Sequence, residues 1–161
     1  MSDADNGRPE GFHSVTPHMV VKDVPAAIAF YEKVFGAKEA LRMPTPDGSV
    51  IMHAEIEIGD SRIMMGEEMP DWGALSPLSL GGTPLSLHLY VADVDAIYAA
   101  ALAEGATGKM PPADMFWGDR YAQVVDPFGH SWAFAKHLRD PSPEEIAEGM
   151  KAAMAGPPEP A

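Results

Sequence analysis

The amino-acid sequence predicts an α+β fold: two βαβββ modules in tandem, followed by a helix near the C-terminus. The first observation behind this is an internal repeat. Residues 16–24 (T-P-H-M-V-V-K-D-V) align with residues 86–94 (S-L-H-L-Y-V-A-D-V) at an offset of 70, with His18/His88, Val21/Val91, Asp23/Asp93 and Val24/Val94 identical. At the same offset residues 59–65 align with 129–135. Two distant blocks sharing one offset indicate a duplicated supersecondary unit. The second observation is that both halves show one succession of strand, helix and strand signals. The third is composition: 161 residues with 46% apolar content can fill a core, and there is no cysteine to staple it.

Each element has a local cause. Strands over 15–21 and 85–91 lead to Asp23 and Asp93, short acceptors suited to cap a helix by taking a backbone N–H. Helices follow over 24–35 and 94–104, with apolar residues near a 3.6 period; Pro25 sits in the first turn, where its missing N–H costs nothing. Gly36 and Gly105 stop them. Three strands complete the first half, over 39–43, 50–58 and 62–66, separated by Pro46-Asp47-Gly48 and Gly59-Asp60 turns. The second half repeats them over 107–110, 121–125 and 131–136. The expected boundaries are a disordered segment 1–13, a first module 14–68, a Gly/Pro/Ser-rich linker 69–83, a second module 84–138, and a C-terminal helix with a Pro-rich tail over 139–161. That last helix opens on Ser142-Pro143-Glu144-Glu145, a capping-box pattern, and its apolar stripe of Ile146, Met150, Ala153 and Met154 is suited to dock on its own domain or on a second chain.

Charge narrows the partners. Twenty-four acidic residues against eleven basic ones leave a formal charge of −13, which repels phosphate backbones and anionic lipid surfaces. Neither nucleic acid nor membrane is therefore an expected partner. No apolar run near the start has the form of a signal peptide, and the expected location is the cytoplasm. The sequence holds no G-x-S-x-G, phosphate loop, dinucleotide fingerprint or His-Glu-x-x-His, and without a thiol covalent catalysis has only weak candidates.

Over residues 15–137 the duplicated pattern resembles the vicinal oxygen chelate superfamily, also called the glyoxalase, bleomycin-resistance and dioxygenase superfamily. Ile51-Met52-His53-Ala54-Glu55, Gly59-Asp60-Ser61-Arg62-Ile63-Met64-Met65, Phe116-Trp117-Gly118-Asp119-Arg120 and Asp126-Pro127-Phe128-Gly129-His130 look similar to its PhnB-like branch. The resemblance implies a curved barrel and a homodimer. It does not imply one activity, because the fold hosts lyases, epimerases, dioxygenases, thiol transferases and drug-sequestering proteins.

Alternation along strands then predicts which side chains line the cleft. His18 with Thr16 and Val20, and His53 with Ile51, Glu55 and Glu57, fall on the cleft side; Met19, Val21, Met52, Ala54, Ile56, Ile58 and Met64 have core parity, and Met65 has cleft parity. In the second half the cleft set is Ser86, His88, Tyr90, Tyr121, Gln123, Val125, Ala133, Ala135 and His137. His18, His53 and His88 are thus expected in one concavity. The loop carrying Phe116, Trp117, Asp119 and Arg120 before Tyr121 suits either a planar ligand or a plug with a surface ion pair. His130 is expected to be structural.

The metal-ligand positions implied by the resemblance fall on Thr16, Ile63, Ser86 and Ala133, a poor set for a divalent ion. The expectation is therefore a cofactor-free small-molecule binder whose site is His18, His53, Glu55, His88, Trp117, Arg120 and Tyr121. Carboxylates beside histidines favour a cationic or amine-bearing ligand, and the resemblance implies an antibiotic-like or aromatic one. The alternative is an enzyme: a lyase, isomerase or dioxygenase-like protein with a displaced zinc, nickel or iron on His18, His53, His88 and Glu55, or metal-free His/Glu acid–base chemistry.

Overall fold

Asp23 opens the first helix of the computed structural model, which describes residues 7–156: its Oδ1 accepts from Ala26 N at 2.9 Å, and Asp93 does the same for Ala96 N at 3.0 Å. These caps start α1 (Val24–Phe35) and α3 (Val94–Ala103) where the sequence predicts. Gly36 closes α1 in the left-handed conformation, at φ 66°.

The described chain divides into two compact units, one running up to Leu85 with Asp126–His130 added, the other comprising Ser86–Val125 and the residues from Ser131 onward. In the first unit, β1 (His18–Val21), β2 (Lys38–Pro44), β3 (Ile51–Ile58) and β4 (Ser61–Glu67) form a sheet of order β1-β4-β3-β2, with β1 parallel to β4 and the other pairs antiparallel. Val21, Val24, Ala27, Tyr31, Ala54, Ile56 and Met65 are fully buried and make the core on the α1 side. The 69–83 stretch is itself structured, with a 3-10 turn at Pro70–Trp72 and a short helix α2 (Pro77–Leu80) capped by Ser76.

Asp126–His130 belongs to this unit through a dense set of polar bonds. Asp126 Oδ1 accepts from Phe128 N and His130 N, both at 2.9 Å, while Oδ2 accepts from Tyr31 Oη at 2.6 Å. His130 Nε2 lies 2.9 Å from the Val20 carbonyl oxygen, and the Phe128 ring meets Phe30 and Tyr31, each at 6.1 Å. His130 thus has a structural partner.

In the second unit, β5 (Ser86–Tyr90), β6 (Thr107–Asp114), β7 (Asp119–Val125) and β8 (Ser131–His137) repeat the pattern as β5-β8-β7-β6. Strand β6 runs past the expected end at Met110 because it is an edge strand. Pro111 and Pro112, which cannot donate to a ladder, are absorbed there by a register shift between Met110 and Ala113. The final helix, α4 (Pro143–Met154), carries the expected capping box at Ser142 and Glu145. It approaches its unit at Gly149, where a Cβ would collide with the Phe116 side chain. Its stripe stays largely uncovered, with Ile146 38%, Met150 49% and Met154 82% exposed.

Register corrects part of the sequence reading. Met64 stands opposite His18 and Ala133 opposite His88, so β4 and β8 correspond at an offset of 69, one residue short of the sequence alignment. Ala54 pairs with Met65 and Ala122 with Phe134, so β3 and β7 correspond at 68. The cause is loop length: β3 and β4 are joined by Gly59-Asp60, β7 and β8 by the five residues Asp126–His130. One slip exchanges faces. Met65 is fully buried on the α1 side, Ile63 joins it at 6% exposure, and Met64 is the one sharing a face with His18 and Glu55. Met52 keeps its parity with Ala54, yet lies near the strand end and is 41% exposed.

Candidate functional site

On the sheet face of the first unit turned away from α1, β1 supplies His18, β3 supplies His53, Glu55 and Glu57, and β4 supplies Arg62 and Met64. The His18 and His53 rings stack at 5.9 Å and 24°. His53 Nε2 lies 3.2 Å from Glu55 Oε1, and Arg62 Nη1 donates to Glu55 Oε2 at 3.0 Å. Arg62 Nη2 also donates to Glu57, so one guanidinium serves both carboxylates. Glu55 is 8% exposed, a burial tolerable for a carboxylate because both of its oxygens have partners. Partial desolvation, reinforced by the neighbouring His53, holds the His18 pKa below the ordinary imidazole value. Above the guanidinium sits Phe12, its ring centroid 4.6 Å from Arg62 Cζ, in a turn closed by Phe12 N donating to the Pro9 carbonyl. Residues 7–13 of the segment expected to be disordered therefore have a described conformation; residues 1–6 lie outside the described residues.

The second unit carries rings where the first carries charges. His88, Tyr90, Tyr121, Gln123, Ala133 and Ala135 share one face by register, as their alternation predicts. His88 meets Tyr90 at 4.9 Å and Tyr121 at 6.0 Å; Tyr121 meets Trp117 edge-on at 5.6 Å, and Trp117 meets Phe116 at 5.1 Å. Gln123 Nε2 donates to Tyr121 Oη at 2.9 Å. By the corrected offsets His88 corresponds to His18, Tyr121 to His53 and Gln123 to Glu55. The duplicated position is thus a histidine–glutamate pair in one module and a phenol–amide pair in the other.

Of the seven expected site residues, His18, His53 and Glu55 come together in the first unit, and His88, Tyr121 and Trp117 in the second. Arg120 does neither. It has the parity of buried Ala122, opposite to Tyr121, and its guanidinium is held by Asp95 Oδ2 at 2.5 Å, Asp95 Oδ1 at 2.7 Å and Asp114 Oδ1 at 2.8 Å. This hydrogen bonding keeps the Asp95 carboxyl below its usual pKa. Asp119 pairs instead with His137 Nδ1, at 2.9 Å. The residue that sequence reasoning missed is Arg62. Its signal was present: it lies across a two-residue turn from Glu57 and alternates with Met64.

The side chains present do not fit the divalent metal that the superfamily's metal-dependent members hold. Ile63 is buried on the opposite face and has no donor atom, and neither has Ala133. Both Glu55 oxygens are engaged, one by a permanent cation that repels a metal ion. Among the described residues no group of three or more His, Asp or Glu side chains is arranged to hold a metal ion. Nor, among them, is any helix long and apolar enough to cross a membrane.

Comparison with known proteins agrees with this architecture. The uncharacterized protein Mb0911c of Mycobacterium bovis is 43% identical over 140 residues, which cover 85% of this chain and 91% of that one. Among solved structures, TioX from Micromonospora sp. ML1 is 25% identical, with a TM-score of 0.59 over 81% of this chain and all (100%) of that one. The PhnB protein from Bacillus cereus, titled a putative 3-demethylubiquinone-9 3-methyltransferase, is 13% identical with a TM-score of 0.60 over 77% of this chain and 99% of that one, a likeness of fold. The model of the Glyoxalase/Bleomycin resistance protein/Dioxygenase superfamily matches residues 11–134, so with its duplicated βαβββ sheets this chain belongs to that superfamily.

Proposed function

We propose that this protein binds a small aromatic molecule without a metal cofactor, the ligand lying against the rings of the second unit. The observation that carries this is the row Tyr90, His88, Tyr121, Trp117 and Phe116, of which Tyr90 is 66% exposed and none is fully buried. Rings used only for packing would be buried; rings left on an open sheet face offer stacking surface, with Tyr121 Oη and the Gln123 amide to orient a polar substituent. The carboxylates that favoured a cationic ligand are already engaged by Arg62, which leaves the aromatic ligand the better supported of the two.

NMR titration tests the reading, using planar aromatic compounds against aliphatic amines and following the Trp117 indole N–H. Saturable shifts with the aromatics, weakened at least roughly fivefold by Tyr121→Ala, are expected from the loss of about 1 kcal/mol or more of ring contact. Amines binding as well as aromatics, or shifts that leave Trp117 untouched, would sink it.

The His53–Glu55–Arg62 chain favours a second reading, metal-free proton transfer by His53 oriented through Glu55. Under it, His53→Ala abolishes turnover of a substrate that the parent converts, whereas unchanged turnover removes its basis. The same proposal makes the protein a cytoplasmic homodimer of the PhnB-like branch. Its support is the quoted motifs, the acidic cysteine-free composition and the uncovered α4 stripe.

A further inference from the structure

Residues 69–85 do more than join two modules. Ser76 is fully buried, with its N and Oγ each 3.3 Å from a carboxylate oxygen of Glu68, and it caps α2. Gly73 and Gly81, at φ 74° and 82°, end the two short helical turns. Pro77 packs so tightly on Gly129 that a Cβ there would collide with it. This stretch is held in place, and between it and β1 lies a cavity of about 200 Å³. Its wall is mostly apolar, from Val20, Leu75, Pro77, Leu80 and Pro84, with two imidazoles, His18 and His130.

Volume sets the ligand's size. An apolar cavity of about 150 Å³ takes up benzene, so this one accommodates a single ring with a substituent. Polarity sets the substituent. His130 Nε2 is committed to the Val20 carbonyl, and the Thr83 hydroxyl accepts from Leu85 N at 3.2 Å. The His18 ring makes no hydrogen bond among the described residues, its recorded partner being the stacked His53. A hydroxyl both donates and accepts, so it can pair with either imidazole tautomer.

We propose that the cavity between the linker and β1 is a binding site for a monocyclic phenol, the ring against Leu75, Pro77 and Leu80 and the hydroxyl on His18. This site is independent of the ring row of the second unit and does not rest on it. The probes are phenol and toluene, titrated into the full chain while the methyl signals of Val20, Leu75 and Leu80 and the Trp117 indole are followed. Phenol is expected to bind roughly three- to tenfold more tightly than toluene, one hydrogen bond's worth. His18→Phe, which keeps a ring and removes the nitrogens, erases that ratio while toluene still binds, and Leu80→Trp, at a position 64% exposed, weakens both probes. The proposal is overturned if neither probe saturates the linker methyl shifts, or if the phenol preference survives His18→Phe. Shifts confined to Trp117 would likewise overturn it, while supporting the separate site on the second sheet.

Discussion

Tyr31 Oη donates to Asp126 Oδ2 at 2.6 Å, joining a helix to a turn 95 residues away, and both residues are buried. Tyr31→Phe removes the donor and leaves a buried carboxylate oxygen to be satisfied by what remains around it. The expected loss of stability is about 1.5–3 kcal/mol, the range for hydrogen bonds to charged groups. Urea denaturation measures it, and a loss below about 0.5 kcal/mol would show the bond to be energetically idle.

Arg62 bridges Glu55 and Glu57, and its side chain is 21% exposed against 11% for Glu55. The ensemble stands between a surface pair and a buried one, so Arg62→Met should destabilise by about 1–3 kcal/mol. Adding Glu55→Gln should restore part of the loss, because the acid left unpaired is then removed. Strict additivity of the two changes would contradict the coupling.

The two histidines with shifted pKa values act in opposite directions. His18 is held below about 6.5 by partial desolvation first and His53 second. Just below pH 6.5 the unfolded chain then binds more protons than the folded one, so the stability His18 contributes is present above that pH and is lost as pH falls through its folded-state value. His53→Ala should move the His18 titration upward in an NMR pH series. His137 is raised, chiefly by its hydrogen bond to Asp119. Its contribution is complete below about 6.5 and is lost as pH rises through the folded-state value. Asp119→Asn should lower the His137 midpoint and leave that of His18 in place; a shift of His18 instead would refute the assignment.

Gly149 lies inside α4, where replacing glycine by alanine ordinarily stabilises a helix by about 1 kcal/mol. Here the sign should reverse. The added Cβ would meet Phe116 at its own Cβ and ring, atoms fixed close to the backbone, so Gly149→Ala costs about 1–3 kcal/mol through overpacking. Faster proteolysis within α4 and a lower Tm check this, and a higher Tm would show that the helix is not seated on Phe116.

The elements legible in the sequence are those with short-range causes. The caps at Asp23, Asp93 and Ser142, the stop at Gly36 and the alternation of β5, β7 and β8 were all visible there, and each depends on residues within a turn or one strand length. Arg120 and Tyr121 mark the boundary of that legibility. The motif joins them, but alternation sends them to opposite faces, and Asp95 and Asp114 decide what Arg120 does.

Sequence alone determined that this chain is a duplicated βαβββ protein and that His18, His53 and Glu55 share one face, because hydrophobic period and capping chemistry are local. Tertiary structure decided the rest. Loops of two and five residues set the register that turns Met65 inward and Met64 outward, and a strand-to-strand contact let Arg62 claim both acids of the cleft. Those outcomes depend on which strands meet and at what stagger, information spread across residues far apart in the chain.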